Sequence, residues 1–315
     1  MPDIERLDAP IDGILVVDKP AGPTSHDVVD RVRRAIGVKR VGHTGTLDPF
    51  ATGVLPLVIG RATRLAQFLT ATDKAYDATI RLGTATDTYD ATGRAAVVPA
   101  AAAARSRPGA LVAPARADVE QALAAFVGTY PQTPPAFSAK KIDGVRAYVR
   151  AREGTPAELK AVMVSVHALT LDAFDGEVIR VSIRCSPGFY VRSLAHALGE
   201  RLGAGGHLEA LRRTASGGFA LDQAVLLETI EHEGRAARGR LLPLAGALTH
   251  LPAATLTGAG AGHAGQGRLL TAGDFAAPPP SGAGPFRLIS PDGRLLAIAR
   301  PGPAAGSLHP FVVLG

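Results

Sequence analysis

The stretch Gly42-His43-Thr44-Gly45-Thr46-Leu47-Asp48-Pro49-Phe50-Ala51-Thr52-Gly53-Val54-Leu55-Pro56 joins a polar, glycine-rich loop to an apolar run. It holds three glycines, two prolines, three threonines, one histidine and a single carboxylate. Glycine lets a backbone or ligand come close, and Pro49 fixes φ in the residue after Asp48. Such a loop holds a carboxylate rigidly at a cleft. Read locally, an Asp-Pro turn beside a solvated histidine explains the same residues, and both readings stay open at this point. Val54 to Ile59, where the loop ends, reads as a buried strand.

Working outward, residues 12 to 18 (DGILVVD) form a short apolar run followed by Pro20, Gly22 and Pro23, the pattern of a strand entering a loop. Ser25 stands where an N-cap belongs, ahead of Val28, Val29, Val32 and Ile36 on one helical face, with Gly37 as the stop. On the other side, Arg61 to Leu69 reads as a short helix and Ala75 to Leu82 as a strand with Tyr76, Ala78 and Ile80 on one face. Arg94 to Ala117 is an alanine and proline mixture without periodicity, expected to be an exposed insertion. The spacing then predicts a helix from Asp118 to Gly128, a second over Val145 to Arg152 and a third from about Tyr190 to Leu202, with β-rich runs near 161 to 171 and 177 to 185. Strands and helices alternate irregularly, which predicts an α+β fold. Beyond residue 250 the texture becomes glycine, proline and alanine turns with short apolar runs (FRLIS, LLAIA, FVVLG), a small β-rich domain.

The chain has 315 residues, 46% hydrophobic and 20% charged, enough for about two domains with a core that needs neither disulfide nor metal. Cys185 is the sole cysteine, and no C-x-x-C or H-E-x-x-H spacing occurs, so no metal site is expected. No apolar run approaches the roughly 18 residues of a membrane span, and the acidic start MPDIERLDAP is unlike a secretory signal; the expectation is a cytoplasmic protein. The net charge of +6 suits a polyanionic partner. Six of the 34 basic residues are lysines and the rest arginines, an excess that suits phosphate recognition and equally a GC-biased genome. Gly260 to Gly265 fits G-x-G-x-x-G but lies outside any βαβ unit and is not read as a nucleotide site.

The segment Gly42 to Pro56 resembles the signature of the tRNA pseudouridine synthase B (TruB) family, bacterial type. Similarity continues through Gly13-Ile14-Leu15-Val16-Val17-Asp18-Lys19-Pro20, Gly60-Arg61-Ala62-Thr63-Arg64-Leu65, Lys74-Ala75-Tyr76, Thr84 to Asp90, Thr133 to Lys141 and Cys185-Ser186-Pro187-Gly188-Phe189-Tyr190-Val191-Arg192-Ser193-Leu194. It covers about residues 12 to 230 in the family's order and spacing. The resemblance implies a pseudouridine synthase fold, a central mixed or antiparallel sheet flanked by helices, in a catalytic domain over 1 to 247 that includes the 94 to 117 insertion. The C-terminal part, 248 to 315, is similar to a PUA domain, expected to bind RNA.

The same resemblance assigns Asp48 as the catalytic carboxylate and Arg192 as its partner. Tyr76 becomes the aromatic packed on the target base, Tyr190 and Leu194 pocket residues, His43 the side chain that fills the space the flipped base vacates, and Arg64 a phosphate contact. Arg192 beside Asp48 is expected to lower the carboxylate's pKa. Taken alone, Tyr76 would be a core-facing strand aromatic, Tyr190 a packing residue and Arg192 a solvated helix arginine. Phe189 departs from the small or hydroxyl residue usual there, and Arg64 from the usual lysine. The implied reaction is isomerisation of the uridine at position 55 in the tRNA T-loop, with no redox change and so no cofactor, metal or ATP. The implied partner is the T-arm of tRNA, bound by a monomer without an obligatory protein partner or membrane. Two alternatives are a guide-RNA-dependent, dyskerin-type synthase and an RNA-binding or tRNA-folding module with secondary catalysis.

Overall fold

The computed structural model describes residues 11–95, 114–138, 141–142, 145–147, 150, 155 and 159–314. In chain order the strands are β1 (Gly13–Lys19), β2 (Val41–His43), β3 (Thr52–Ile59), β4 (Lys74–Leu82), β5 (Gly128–Gln132), β6 (Lys141–Ile142), β7 (Val145–Arg146), β8 (Val162–Phe174), β9 (Val178–Cys185), β10 (Gly206–Ser216), β11 (Phe219–Ala220) and β12 (Val225–Leu226). Apart from the β6–β7 hairpin these form one mixed sheet, ordered β12-β1-β3-β10-β4-β9-β8-β5, with β2 paired to β3 and β11 to β10. Helices α1 (Ser25–Ile36), α2 (Ala66–Thr70), α3 (Arg116–Ala124), α4 (Val191–Arg201) and α5 (Leu227–Glu233) flank it. This is the expected α+β arrangement.

The run Ile14-Leu15-Val16-Val17 is apolar throughout because both faces of β1 are covered. Leu15 and Val17 pack with Val28, Val29, Val32, Leu194 and Leu198 in the main core. Ile14 and Val16 pack on the opposite face with Leu295, Ile298 and Leu314. Those last residues belong to a C-terminal four-stranded sheet, β13 (Ala253–Thr255), β14 (Phe286–Ile289), β15 (Leu295–Pro301) and β16 (Leu308–Val313), which carries its own small core around Phe286 and Leu288 with helix α6 (Gly258–Gly265) beside it. The glycine pattern at 260 to 265 lies within that helix.

Several local expectations are corrected. The N-cap of α1 is Thr24: its hydroxyl accepts from Asp27 N at 3.1 Å while the Asp27 carboxylate accepts from Thr24 N at 2.8 Å. Ser25 is buried instead, turned toward Leu47. Residues 60 to 65 form a 3-10 turn before α2, so the expected helix over 61 to 69 is split. Helix α3 starts two residues earlier than expected, with Asp118 in its first turn accepting from Ala115 N at 3.2 Å. It ends at Ala124, and Gly128, at φ +104°, opens β5. Val145–Arg146 is a strand where a helix was expected; Ala147 and Arg150 are helical, and the rest of that stretch, like 96–113 of the insertion, lies outside the described residues.

Candidate active site

Strand β3 has two partners along one edge. Its first residues run parallel to β10 (Thr52 with Arg212, Gly53 with Arg213), and its last pair with β2 (Leu57 with His43, Ile59 with Val41). The chain between, residues 44–51, projects as a loop that carries Asp48 and is tied from three sides. Buried Ser25 donates to the Leu47 carbonyl at 3.1 Å and accepts from Leu47 N at 2.8 Å. The Lys19 ammonium, fully buried at the end of β1, donates to the carbonyls of Ala51 at 2.7 Å, Pro49 at 3.0 Å and Pro20 at 3.0 Å. The Arg213 guanidinium, 1% exposed, donates to Val54 O at 2.7 Å and Gly45 O at 3.1 Å. Hydrogen bonds from charged donors are each worth about 1.5–3 kcal/mol, so this loop is held far more firmly than an ordinary Asp-Pro turn.

Asp48 faces Arg192, the second residue of α4. Nη2 of Arg192 lies 3.1 Å from Oδ1, and Nε lies 2.9 Å from Oδ2 without an aligned N–H. Arg192 is no solvated helix arginine: its side chain is 6% exposed, and it also donates to Phe137 O at 2.9 Å and Thr88 O at 3.1 Å, with the buried Asp90 carboxylate at 3.5 Å. Asp90 in turn accepts from the Thr88 hydroxyl at 2.8 Å and Thr92 N at 3.0 Å.

The electrostatics of Asp48 correct one expectation. Its pKa is raised, not lowered: loss of water around the carboxylate outweighs the attraction of Arg192, Asp90 pushes the same way, and Lys19 opposes. A third of the side-chain surface stays open, so water reaches the group and limits the effect. Burial likewise pulls Lys19 down to about 8, raises the Tyr76 and Tyr190 phenols, and lowers Arg213, whose guanidinium meets the Tyr76 hydroxyl. Lys74, under Arg213, is also pulled down to about 8.

The structure therefore brings Asp48, Arg192, Tyr76 and Tyr190 together, Tyr190 being fixed by Gln132, which accepts from its N–H at 2.8 Å and donates to its carbonyl at 3.1 Å. His43 closes β2 at the base of the loop, its Nδ1 accepting from Gly45 N at 3.3 Å. Two expected site residues stand apart. Leu194 is fully buried in the main core, behind the site and not on its surface. Arg64 sits at the junction with the C-terminal sheet, where it donates to Val313 O at 2.5 Å. Cys185 is buried, its thiol pushed up to about 12. Lys19, Asp90 and Arg213 were missed as site residues; a lysine closing the apolar run of β1 was the one legible signal.

A concavity of about 460 Å³ lies elsewhere, lined by Asp77, Asp172, Arg180, Glu209 and Arg212. Its three carboxylates outnumber its two arginines, which does not suit an RNA backbone, and Asp48 and Arg192 are not among its walls. The cluster around Asp48 has the perturbed, convergent groups expected of a chemical site. No helix among the described residues is long and apolar enough to cross a membrane.

Comparison with known proteins bears on the family and the fold. The model of the TruB family pseudouridylate synthase N-terminal domain matches residues 33–191, and that of the tRNA pseudouridylate synthase B C-terminal domain matches 192–249. A tRNA pseudouridine synthase B of Thermobifida fusca is 45% identical, covering 96% of this chain and 98% of its own. One of Solibacter usitatus is 50% identical over 70% of this chain and 72% of its own. Among solved structures, the archaeal box H/ACA sRNP Nop10–Cbf5 complex superposes with a TM-score of 0.71 at 22% identity, covering 96% of this chain and 86% of that one. An H/ACA RNP bound to a substrate RNA containing 2′-deoxyuridine gives 0.72 at 21%, covering 96% and 85%. Those two likenesses speak to the fold. The family matches and the identities over most of the chain establish that this protein belongs to the TruB family of pseudouridylate synthases and is an isomerase.

Proposed function

We propose that the protein converts uridine 55 in the T-loop of tRNA to pseudouridine, with Asp48 as the catalytic carboxylate. The observation that carries the reading is the pairing of Asp48 with buried Arg192 on a loop held by Lys19, Ser25 and Arg213. The names of the relatives supply the RNA class.

The reaction breaks the N1–C1′ bond, turns the uracil and forms C5–C1′; the C5 proton leaves and N1 gains one, so atoms and electrons balance without an electron carrier. A stacked uridine hides C1′, so it must first swing out, at a cost of a few kcal/mol. The Tyr76 ring offers the extruded base a flat face. Asp48 acts as nucleophile or as base on the sugar, and both roles need the ionised form. Arg192 and Lys19 favour that form against the pull of burial. Arg192 also aims the carboxylate, since its other donors are anchored on Phe137 O and Thr88 O.

Residues 1 to 247 form the catalytic domain on this reading. The sheet domain over 248 to 315 contacts the tRNA outside the T-loop, and the enzyme acts alone as a monomer in the cytoplasm. The test is Asp48→Asn: product measured by mass spectrometry of derivatised pseudouridine should vanish while tRNA affinity holds. Persistent product would refute the assignment.

A further inference from the structure

Tyr89 has φ +64°, and among the described residues it alone has positive φ without being glycine. A bulky side chain in this region costs free energy, so its surroundings must hold it there. Its ring lies flat on the imidazole of His196, centroids 3.9 Å apart and planes 8° from parallel. On either side of Tyr89 stand the two groups that grip Arg192 from the loop: Thr88 O at 3.1 Å and the Asp90 carboxylate at 3.5 Å.

The partners are spaced to match. Arg192, His196 and Glu200 lie four residues apart on α4, one stripe of the helix surface. Arg192 meets the loop at Thr88 and Asp90, His196 meets it at Tyr89, and Glu200 lies 3.5 Å from His196 Nε2 and near the Tyr89 phenol. Among the described residues His196 Nδ1 is buried without a hydrogen-bond partner, so the ring is held by its flat contact more than by polar bonds. The loop's far side is fastened by Leu208, whose N donates to Tyr89 O at 3.0 Å and whose carbonyl accepts from Ala91 N at 2.9 Å.

We infer that the Tyr89–His196 stack is a positioning device: it presses the 88–90 loop against α4 and so fixes the Arg192 fork that aims Asp48. Neither residue touches the reacting atoms; both act through Arg192. The inference rests on the reading of Asp48 as the catalytic carboxylate. Without the stack, the backbone bonds to Thr86 O and Leu208 still hold this turn but no packed ring presses it onto α4, so Thr88 O and the Asp90 carboxylate shift away from Arg192. Tyr76 and the Asp48 loop keep their own anchors, which involve neither Tyr89 nor His196.

The test compares His196→Ala, His196→Phe and Tyr89→Gly in the full chain, using single-turnover rate at saturating enzyme and, separately, affinity for a T-loop-bearing tRNA transcript. His196→Ala should lower the rate by about tenfold, the upper range for an aromatic pair, with affinity unchanged. His196→Phe, which keeps a flat ring and has no titratable nitrogen, should restore most of it. Tyr89→Gly suits the positive φ and keeps the chain folded, yet removes the ring; it should be slowed like His196→Ala. An unchanged rate in both ring-deleted variants, loss of affinity at unchanged rate, or failure of phenylalanine to rescue would each overturn the inference. Asp48→Asn run alongside separates the two claims. Product from that variant sinks the catalytic reading and this inference with it, whereas an inactive Asp48→Asn beside a fully active His196→Ala sinks the stack alone.

Discussion

Replacing Gly53 by alanine strikes the point where the site loop is anchored to the sheet. Gly53 has φ +99°, and a Cβ there would lie 2.2 Å from Arg213 O and 2.9 Å from Arg213 N. Two costs add. The positive φ costs an L residue about 1–2 kcal/mol. Restoring ordinary contact at 3.4 Å moves β10 roughly 1.2 Å from β3; the obstacle is backbone, so no rotamer absorbs it, and such overpacking costs about 1–3 kcal/mol. A total of about 2–5 kcal/mol against a typical stability of about 5–15 leaves a folded but weakened protein. The catalytic cost is larger in proportion. The Arg213 guanidinium moves with its backbone, its bonds to Val54 O and Gly45 O stretch, and Asp48 shifts between those anchors. Misplacement on the order of 1 Å is expected to slow single turnover about 100-fold. The chain has no tryptophan, so urea unfolding is followed by circular dichroism. Gly218→Ala, where an added Cβ meets nothing within 4 Å, is the control. If Gly53→Ala unfolds at the wild-type midpoint and keeps the wild-type rate, the close approach of β3 and β10 does not position the site.

Lowering the pH should slow single turnover through a value above the ordinary carboxylate range, because burial raises the Asp48 pKa and the reaction needs the ionised form; an acid limb below that range would mean that Arg192 and Lys19 outweigh burial. The stability sign is opposite: a raised carboxylate pKa favours the fold at low pH, and that contribution is lost as pH rises through the folded value. Arg192→Lys keeps one charge but not the fork that spans Asp48, Thr88 O and Phe137 O, so turnover should fall on the order of 100-fold, measured at saturating enzyme.

Where apolar pattern and turn chemistry coincide, the chain declares its structure. The run Ile14 to Val17, the α1 face through Val28, Val32 and Ile36, and the C-terminal strands all follow their periodicity. Strand β10 is the opposite case. Gly206–Ser216 reads GHLEALRRTAS, residues that favour helix as much as strand, and irregularities between Leu208 and Ala210 and between Arg213 and Ala215 break the two-residue alternation. It is nonetheless paired to both β4 and β3, because tertiary pairing overrides weak local preference. The site divides in the same way. Asp48 stands out by its loop and by family resemblance, whereas Arg213 lies in that unreadable strand and Leu194 matches a family motif while facing the core. Thr24 took the cap from Ser25 because Ser25 is needed at Leu47, a partner 22 residues away that no local pattern reveals.

Three cations surround the Asp48 loop, and what their bonds share sets up a last test. Lys19, Lys74 and Arg213 are all buried, and the hydrogen bonds they make to backbone are to carbonyl oxygens. Holding a lysine charged in such a place is unfavourable, which is why Lys19 and Lys74 fall to about 8. Between pH 8 and 9 the unfolded chain still binds protons that the folded chain has released at these lysines, so their contribution to stability rises with pH. Above about 9 the raised thiol of Cys185 works the other way, so the window is narrow. Function should move against stability there. A neutral Lys19 has two N–H donors for three carbonyls, those of Pro20, Pro49 and Ala51, and Asp48 loses a cation that favours its ionised form. Turnover should decline from pH 7.5 to 9 while the urea midpoint holds or climbs, and Lys19→Met should flatten the decline. If rate and midpoint instead fall together, or if Lys19→Met keeps the wild-type pH profile, the charge on Lys19 is not what holds the loop in its working geometry.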